Sequence, residues 1–342
     1  MDLWSPATRW APAHDAPPEV HAEHDEPAPT FWASVIMWIT VVMPYLGILA
    51  LATWTVTRPS GWIILTVFVL SYLAMGFGVT IGYHRLLAHK SFTSYRWIEG
   101  IFYILGSMAM QGPPIRWTAT HRRHHQRSDH DGDPHSPHLH GNGVYGVVRG
   151  LWHAHTGWLL TPDKERTDRS VKDLIRDPMI RRIDRLYWFW LALSVAVPFA
   201  AGWLIQGGWQ GGLVFVFWAV IVRISLMHHA TWSVNSICHF FGYQSYQSGD
   251  HSRNNPLVAI ISLGEGWHNN HHAFPTSARH GLRWFEFDSS WVVIRTLQLL
   301  GLAWDVRLPS KAAQEQKAQP RPRWCEEKSP PRCSAAAGLS LQ

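Results

Sequence analysis

Among the 22 histidines of this 342-residue chain, three groups repeat spacings that suit metal ligands. His84 and His89 stand in Gly-Tyr-His-Arg-Leu-Leu-Ala-His. His121, His124 and His125 form His-Arg-Arg-His-His, and His268, His271 and His272 form His-Asn-Asn-His-His. On a helix, positions i, i+3 and i+4 share one face, so each triplet is expected to aim three imidazoles at one point. Eight neutral imidazoles exceed what a single ion accepts. A catalytic zinc takes three protein ligands and keeps a position open, while calcium and magnesium prefer oxygen. Imidazole suits iron, copper, zinc and nickel, so two metals of that kind are implied. His135, His138 and His140, in a Pro/Gly-rich loop, read as ordinary surface histidines, as do His14, His21 and His24.

The elements that must position these groups are apolar. The mean hydropathy of −0.10 hides strong segregation. No charged residue occurs between Glu26 and Arg58, between Arg58 and Arg85, or from Leu186 to Val222. A transmembrane helix needs about 20 apolar residues, and the runs give room for four spans, about 31–55, 61–83, 186–205 and 213–228. The 21 tryptophans suit membrane interfaces. The loop from His84 to Arg185 carries 16 Lys or Arg and the segment from His229 onward 11, against one in the two hairpin turns. Positive charge stays cytoplasmic, which puts the histidine groups and both termini on that side of a bacterial inner membrane. The fold expected is an all-α integral membrane protein, four transmembrane helices under a cytoplasmic helical cap that carries the histidines. Three shorter apolar pieces, 100–115, 256–264 and 291–304, are expected at the interface or in that cap. Residues 1–30 and 309–342 read as disordered polar tails, the first without the features of a signal peptide. The net charge of +6 suits anionic headgroups or an acidic protein partner; no nucleic-acid recognition module is present. Cys238, Cys325 and Cys333 have no metal spacing.

The order H-x4-H, H-x2-H-H, H-x2-H-H between pairs of spans resembles the membrane fatty acyl desaturases. The flanking text carries the same resemblance: Thr120-His-Arg-Arg-His-His-Gln-Arg-Ser-Asp129, Asp133-Pro-His135, Trp152-His-Ala-His-Thr-Gly-Trp-Leu-Leu160, Asn235-Ser-Ile-Cys-His239 and Gly281-Leu-Arg-Trp284. It extends over about 31–308. The wide first group and a third group opening with His are similar to the Δ9 branch. The resemblance implies a ninth ligand at His239, with Asn235 near the second metal through water. It implies two iron ions, O2 as co-substrate, and a cis double bond placed at C9 of a saturated long acyl chain. Carboxylates should orient the imidazoles from behind, and Asp129, Asp133 and Glu265 are the candidates. With no haem-ligand signature of a fused cytochrome b5, electrons are expected in trans from a ferredoxin or a b5-type protein. The basic stretch at Arg122, Arg123 and Arg127 could steer such a partner, or bind phosphates or headgroups.

The nearest alternative is a histidine-box di-iron hydroxylase of an alkyl or lipid substrate; an intramembrane zinc hydrolase needs fewer ligands, and a metal transporter should carry its ligands inside the spans. Where animal acyl-CoA desaturases carry Arg, this chain has Ala119, so acyl-CoA and acyl-lipid substrates both stay open. Tyr72 lies 12 residues before His84, about 18 Å along a helix at 1.5 Å per residue. It is read as the floor of the acyl tunnel, favouring sixteen carbons over eighteen.

Overall fold

The computed structural model describes residues 61–141, 143–160 and 170–319. The expected first span, 31–55, lies outside the described residues, as do 1–30 and 320–342. Among the described residues, three helices are long and apolar enough to cross a membrane: α1 (Gly61–Ala88), α7 (Tyr187–Gln206) and α8 (Trp209–His239). They coincide with the remaining expected spans, except that α8 runs well past 228. Its polar residues from His228 onward are accommodated by protein contacts, with His228 Nε2 against Ala109 O at 3.3 Å and His229 Nδ1 against His155 Nε2 at 2.9 Å. Between α7 and α8, Gly207 and Gly208 turn the chain with φ of 75° and 86°, angles that favour glycine.

The remaining helices are short: α2 (Arg96–Met108), α3 (Pro114–Arg127), α4 (Gly143–His155), α5 (Lys172–Arg176), α6 (Pro178–Arg185), α9 (Pro256–Ile261), α10 (His268–Ala273), α11 (Ser289–Leu299) and α12 (Lys311–Lys317). The described sheet is one antiparallel pair, β1 (Thr93–Ser94) with β2 (Ala303–Trp304). It ties the end of α1 to the end of α11. Sequence dictates many of the boundaries. Pro114, Pro178 and Pro256 occupy first turns, where a missing N–H costs nothing. Asp177, Asn255 and Asp288 accept the first free N–H groups of α6, α9 and α11. Residues 309–319 do not form the expected disordered tail. Ser310 caps α12 by accepting from Ala313 N at 3.1 Å, and the segment docks by hydrogen bonds rather than by apolar burial.

The second half of α1, Gly78–Ala88, is wound as a π-helix. It sits in the main core with Ile81, Tyr83, Leu86 and Leu87, against Tyr103 of α2, Ile180 and Ile183 of α6, and Ile294 of α11. Helices α1 and α2 touch through glycine. A Cβ on Gly78 would lie 2.2 Å from Gly106 N, and one on Gly106 2.8 Å from Gly78 O, both backbone atoms. The contact therefore leaves no room for a methyl group, and relieving it requires the helices to separate. At Gly100 an added Cβ meets only Met179 Sδ at 3.5 Å. Gly78→Ala should thus destabilise the fold by about 1–3 kcal/mol. Gly100→Ala should be neutral or stabilising by up to about 1 kcal/mol from helix propensity. Thermal melts of the two detergent-purified variants check the contrast; equal melting temperatures would contradict it.

Candidate metal centre

Four elements deliver nine histidines to one place, and local winding decides which imidazoles meet. His84 and His89 are five residues apart. In an α-helix of 3.6 residues per turn they would diverge by about 140°. In the π-helix at the end of α1, with i→i+5 bonds and about 4.4 residues per turn, the divergence falls to about 50°. The i→i+5 bond is present, His89 N donating to His84 O at 3.1 Å. The two rings then lie 4.8 Å apart.

The triplets do not each aim at one point. His84, His89, His121, His125 and His271 gather in one group, and His124, His239, His268 and His272 in a second. The reason is angular. At about 100° per residue, i+4 lies about 40° to one side of i and i+3 about 60° to the other. In both triplets i and i+4 go to one group, while i+3 goes to the other. Helix α3 gives two ligands to the first group and one to the second, and α10 does the reverse.

Behind the rings stand carboxylates. His84 Nδ1 pairs with Glu265, His124 Nδ1 with Asp133, His239 Nδ1 with Asp129 and His272 Nδ1 with Asp250. Three of these acids were expected. Asp250 was not, because it lies 22 residues before His272 in an irregular loop and no periodicity links them. His280 also escaped the sequence reading. Its buried ring lies 4.5 Å from that of His271, its backbone N–H donates to Asp288 at 2.7 Å, and its backbone carbonyl accepts from Asn270. His135 is likewise no surface residue. It is buried with its ring 4.3 Å from that of His124, and the Asp133-Pro-His135 sequence was the only signal for it.

Arginines join these parts. Arg85 is fully buried and donates to Glu265 Oε1 at 2.7 Å and to both oxygens of Asp288. Arg122, which the sequence offers to a partner, to phosphates or to headgroups, is engaged within the protein. It turns inward, capping Leu87 O and Ala88 O at the end of α1 and pairing with Asp173. Helix α3 is thereby tied to the end of α1.

Burial, reinforced by neighbouring imidazoles, holds His89, His121, His125, His268 and His271 well below the usual histidine range. They are neutral at pH 7 and ready to bind metal. Burial would raise Asp133, Asp250 and Glu265, yet their facing His and Arg partners outweigh it and keep all three ionised. The inward nitrogens fit metal ions. His89 and His121, His125 and His271, His84 and His271, and His239 and His268 bring Nε2 atoms to within 2.8–3.0 Å of each other. With metal–nitrogen bonds of about 2.1 Å, ligands at right angles are about 3.0 Å apart. The inward Nε2 atoms of His124 and His272 are buried with no hydrogen-bond partner.

An apolar cavity ends at these rings. Its walls are Tyr72, Gly76 and Val79 of α1, Met227, Ala230 and Val234 of α8, and Leu263. His84 and His121 of the first group and His124 and His268 of the second close it, with Asn235 beside them. Tyr72 donates to Ile261 O at 2.6 Å.

Residues 60–303 match the family model for fatty acid desaturase. The chain is 42% identical to the sn-1 stearoyl-lipid 9-desaturase of Anabaena variabilis, over 71% of this chain and 83% of that one. It is 40% identical to Delta-9 acyl-lipid desaturase 1 of Arabidopsis thaliana, over 76% and 80%. It is 43% identical to the Hex-5-enoyl-[acyl-carrier protein] acetylenase of Moorena producens, over 70% and 75%. These likenesses favour desaturation over hydroxylation. An apolar cavity lined by members of two groups of imidazoles that could hold metal agrees with them: the chain belongs to the fatty acid desaturase family and is an oxidoreductase that desaturates fatty acyl chains.

Proposed function

We propose that this enzyme places a cis double bond at C9 of a saturated long chain carried on a membrane lipid, using O2 and two iron ions. One iron is held by His84, His89, His121, His125 and His271, the other by His124, His239, His268 and His272, with Asn235 acting through water. The observation that carries this reading is that one apolar cavity ends at members of both groups. The names of the relatives from Anabaena and Arabidopsis support position 9 and a lipid carrier. The carrier-protein name of the Moorena relative keeps the thioester alternatives in the test.

Bound iron would supply the redox capacity to reduce O2 and remove hydrogen from an unactivated methylene, which no side chain can do. The chain's own residues bind and orient. The α1 and α8 walls hold the alkyl chain extended and exclude water. Asp129, Asp133, Asp250 and Glu265 fix which ring nitrogen faces inward. Tyr72 blocks the far end. Four spans with both termini and the metal centre on the cytoplasmic side of a bacterial inner membrane fit the charge distribution, and a ferredoxin or b5-type protein delivers the electrons.

Expression in a desaturase-deficient bacterium, followed by mass spectrometry of the lipid, CoA and carrier-protein acyl pools, tests the reading. Monounsaturated chains with the bond at C9, appearing first in lipid, are expected. Hydroxylated chains, or unsaturation confined to a thioester pool, would contradict it. The same assay reads the floor. Removing the Tyr72 ring frees space for about two methylenes at about 0.8 kcal/mol each, so Tyr72→Ala should move the ratio of eighteen- to sixteen-carbon product up by about tenfold. Tyr72→Phe keeps the ring and loses only the bond to Ile261, so it should leave the ratio unchanged. An unaltered ratio in Tyr72→Ala would place the floor elsewhere.

A further inference from the structure

Helix α12 and the residues after it close over the outer side of α10, the helix that carries His268, His271 and His272. Lys317 Nζ donates to Ala273 O, the last carbonyl of α10, at 2.7 Å. The same ammonium lies 5.3 Å from the ring centroid of Phe274. Backbone bonds stitch the segment to a neighbouring loop: Gln247 N donates to Lys317 O at 2.7 Å and Gln319 N to Ser245 O at 3.1 Å. Tyr246 adds a side-chain bond to Gln314 at 3.0 Å.

That loop leads into the second imidazole group. Ser245 N and Tyr246 N both donate to Asn269 Oδ1, at 2.7 and 2.9 Å. Two residues on, Ser248 Oγ donates to Asp250 Oδ1 at 2.6 Å, and Asp250 Oδ2 holds His272 Nδ1. The clasp therefore grips both ends of one arm: the carbonyl end of α10 and the loop bearing the carboxylate behind His272. The first group depends on it far less. Only His271 of that group comes from α10, and its carboxylate, Glu265, is held by Arg85.

We propose that Lys317 is a positioning residue for the metal site formed by His124, His239, His268 and His272, acting through Ala273 O and the Asp250 loop. A cation on the last carbonyls of a helix satisfies acceptors that have no intrahelical donor. Residues behind the ligands typically set metal affinity within about 10–100-fold. This inference rests on the two-metal reading above. Lys317 is exposed, so replacing it leaves the core intact, and the first site serves as an internal control of folding.

The test is anaerobic titration of metal-free full-length protein with Co(II), read by visible absorption. Wild type should bind two equivalents. Lys317→Met should weaken one of them about tenfold and leave the other unchanged, and Lys317→Arg should restore it. Asp250→Asn should weaken the same equivalent, and adding Lys317→Met to it should cost little more. Two wild-type affinities in Lys317→Met, an equal loss at both sites, or fully additive effects with Asp250→Asn would overturn the role of Lys317. A wild type that binds a single equivalent would instead overturn the two-metal reading, and the inference with it.

Discussion

An imidazole binds a metal only through an unprotonated nitrogen, and a buried one that is charged without a partner is costly. The centre meets both conditions together. Five rings, those of His89, His121, His125, His268 and His271, sit where burial and neighbouring imidazoles keep them neutral, and the other four turn Nε2 inward because a carboxylate holds Nδ1 from behind. Those acids are themselves buried and need positive or hydrogen-bonding partners to stay ionised. Arg85 meets that need for Glu265 and also pairs with Asp288. Removing one partner of such a buried pair typically costs about 3–5 kcal/mol, so the ligands cannot reorient without dismantling their support.

The same network joins the long apolar helix α1 to the shorter helices. Arg85 follows His84 directly on α1, yet its partners are the residue three before His268 and the cap of α11. Arg122, inside the first triplet, caps the carbonyls that end α1. The arginines in these motifs are thus structural links between one histidine group and the next. The asparagines of the third motif act likewise: Asn269 holds the loop that carries Asp250, and Asn270 bridges Asn254, Glu286 and His280. Intervening residues that bind no metal fix where the ligands stand.

Legibility in the sequence followed physical range. Spans read well because apolar length is a local property, and the three described ones match. All nine ring positions were legible, eight from spacing and His239 from the family likeness. How they divide was not, since i, i+3 and i+4 were taken as one face when i+3 and i+4 in fact diverge by about 100°. The π-winding that lets His84 meet His89 has no evident composition signal. Asp250 and His280 are joined to the centre only by tertiary contacts, and so left no pattern. The ordered segment at 310–319 was missed because it docks through hydrogen bonds, whereas the reading weighed apolar burial.

The partition into five and four imidazoles makes a stoichiometric claim that anaerobic titration of the metal-free protein with Fe(II), followed by Mössbauer spectroscopy, tests most directly. Two irons per chain are predicted, in two distinguishable nitrogen-rich environments, one richer in imidazole than the other. A single iron at saturation, or two equivalent sites, would contradict the account.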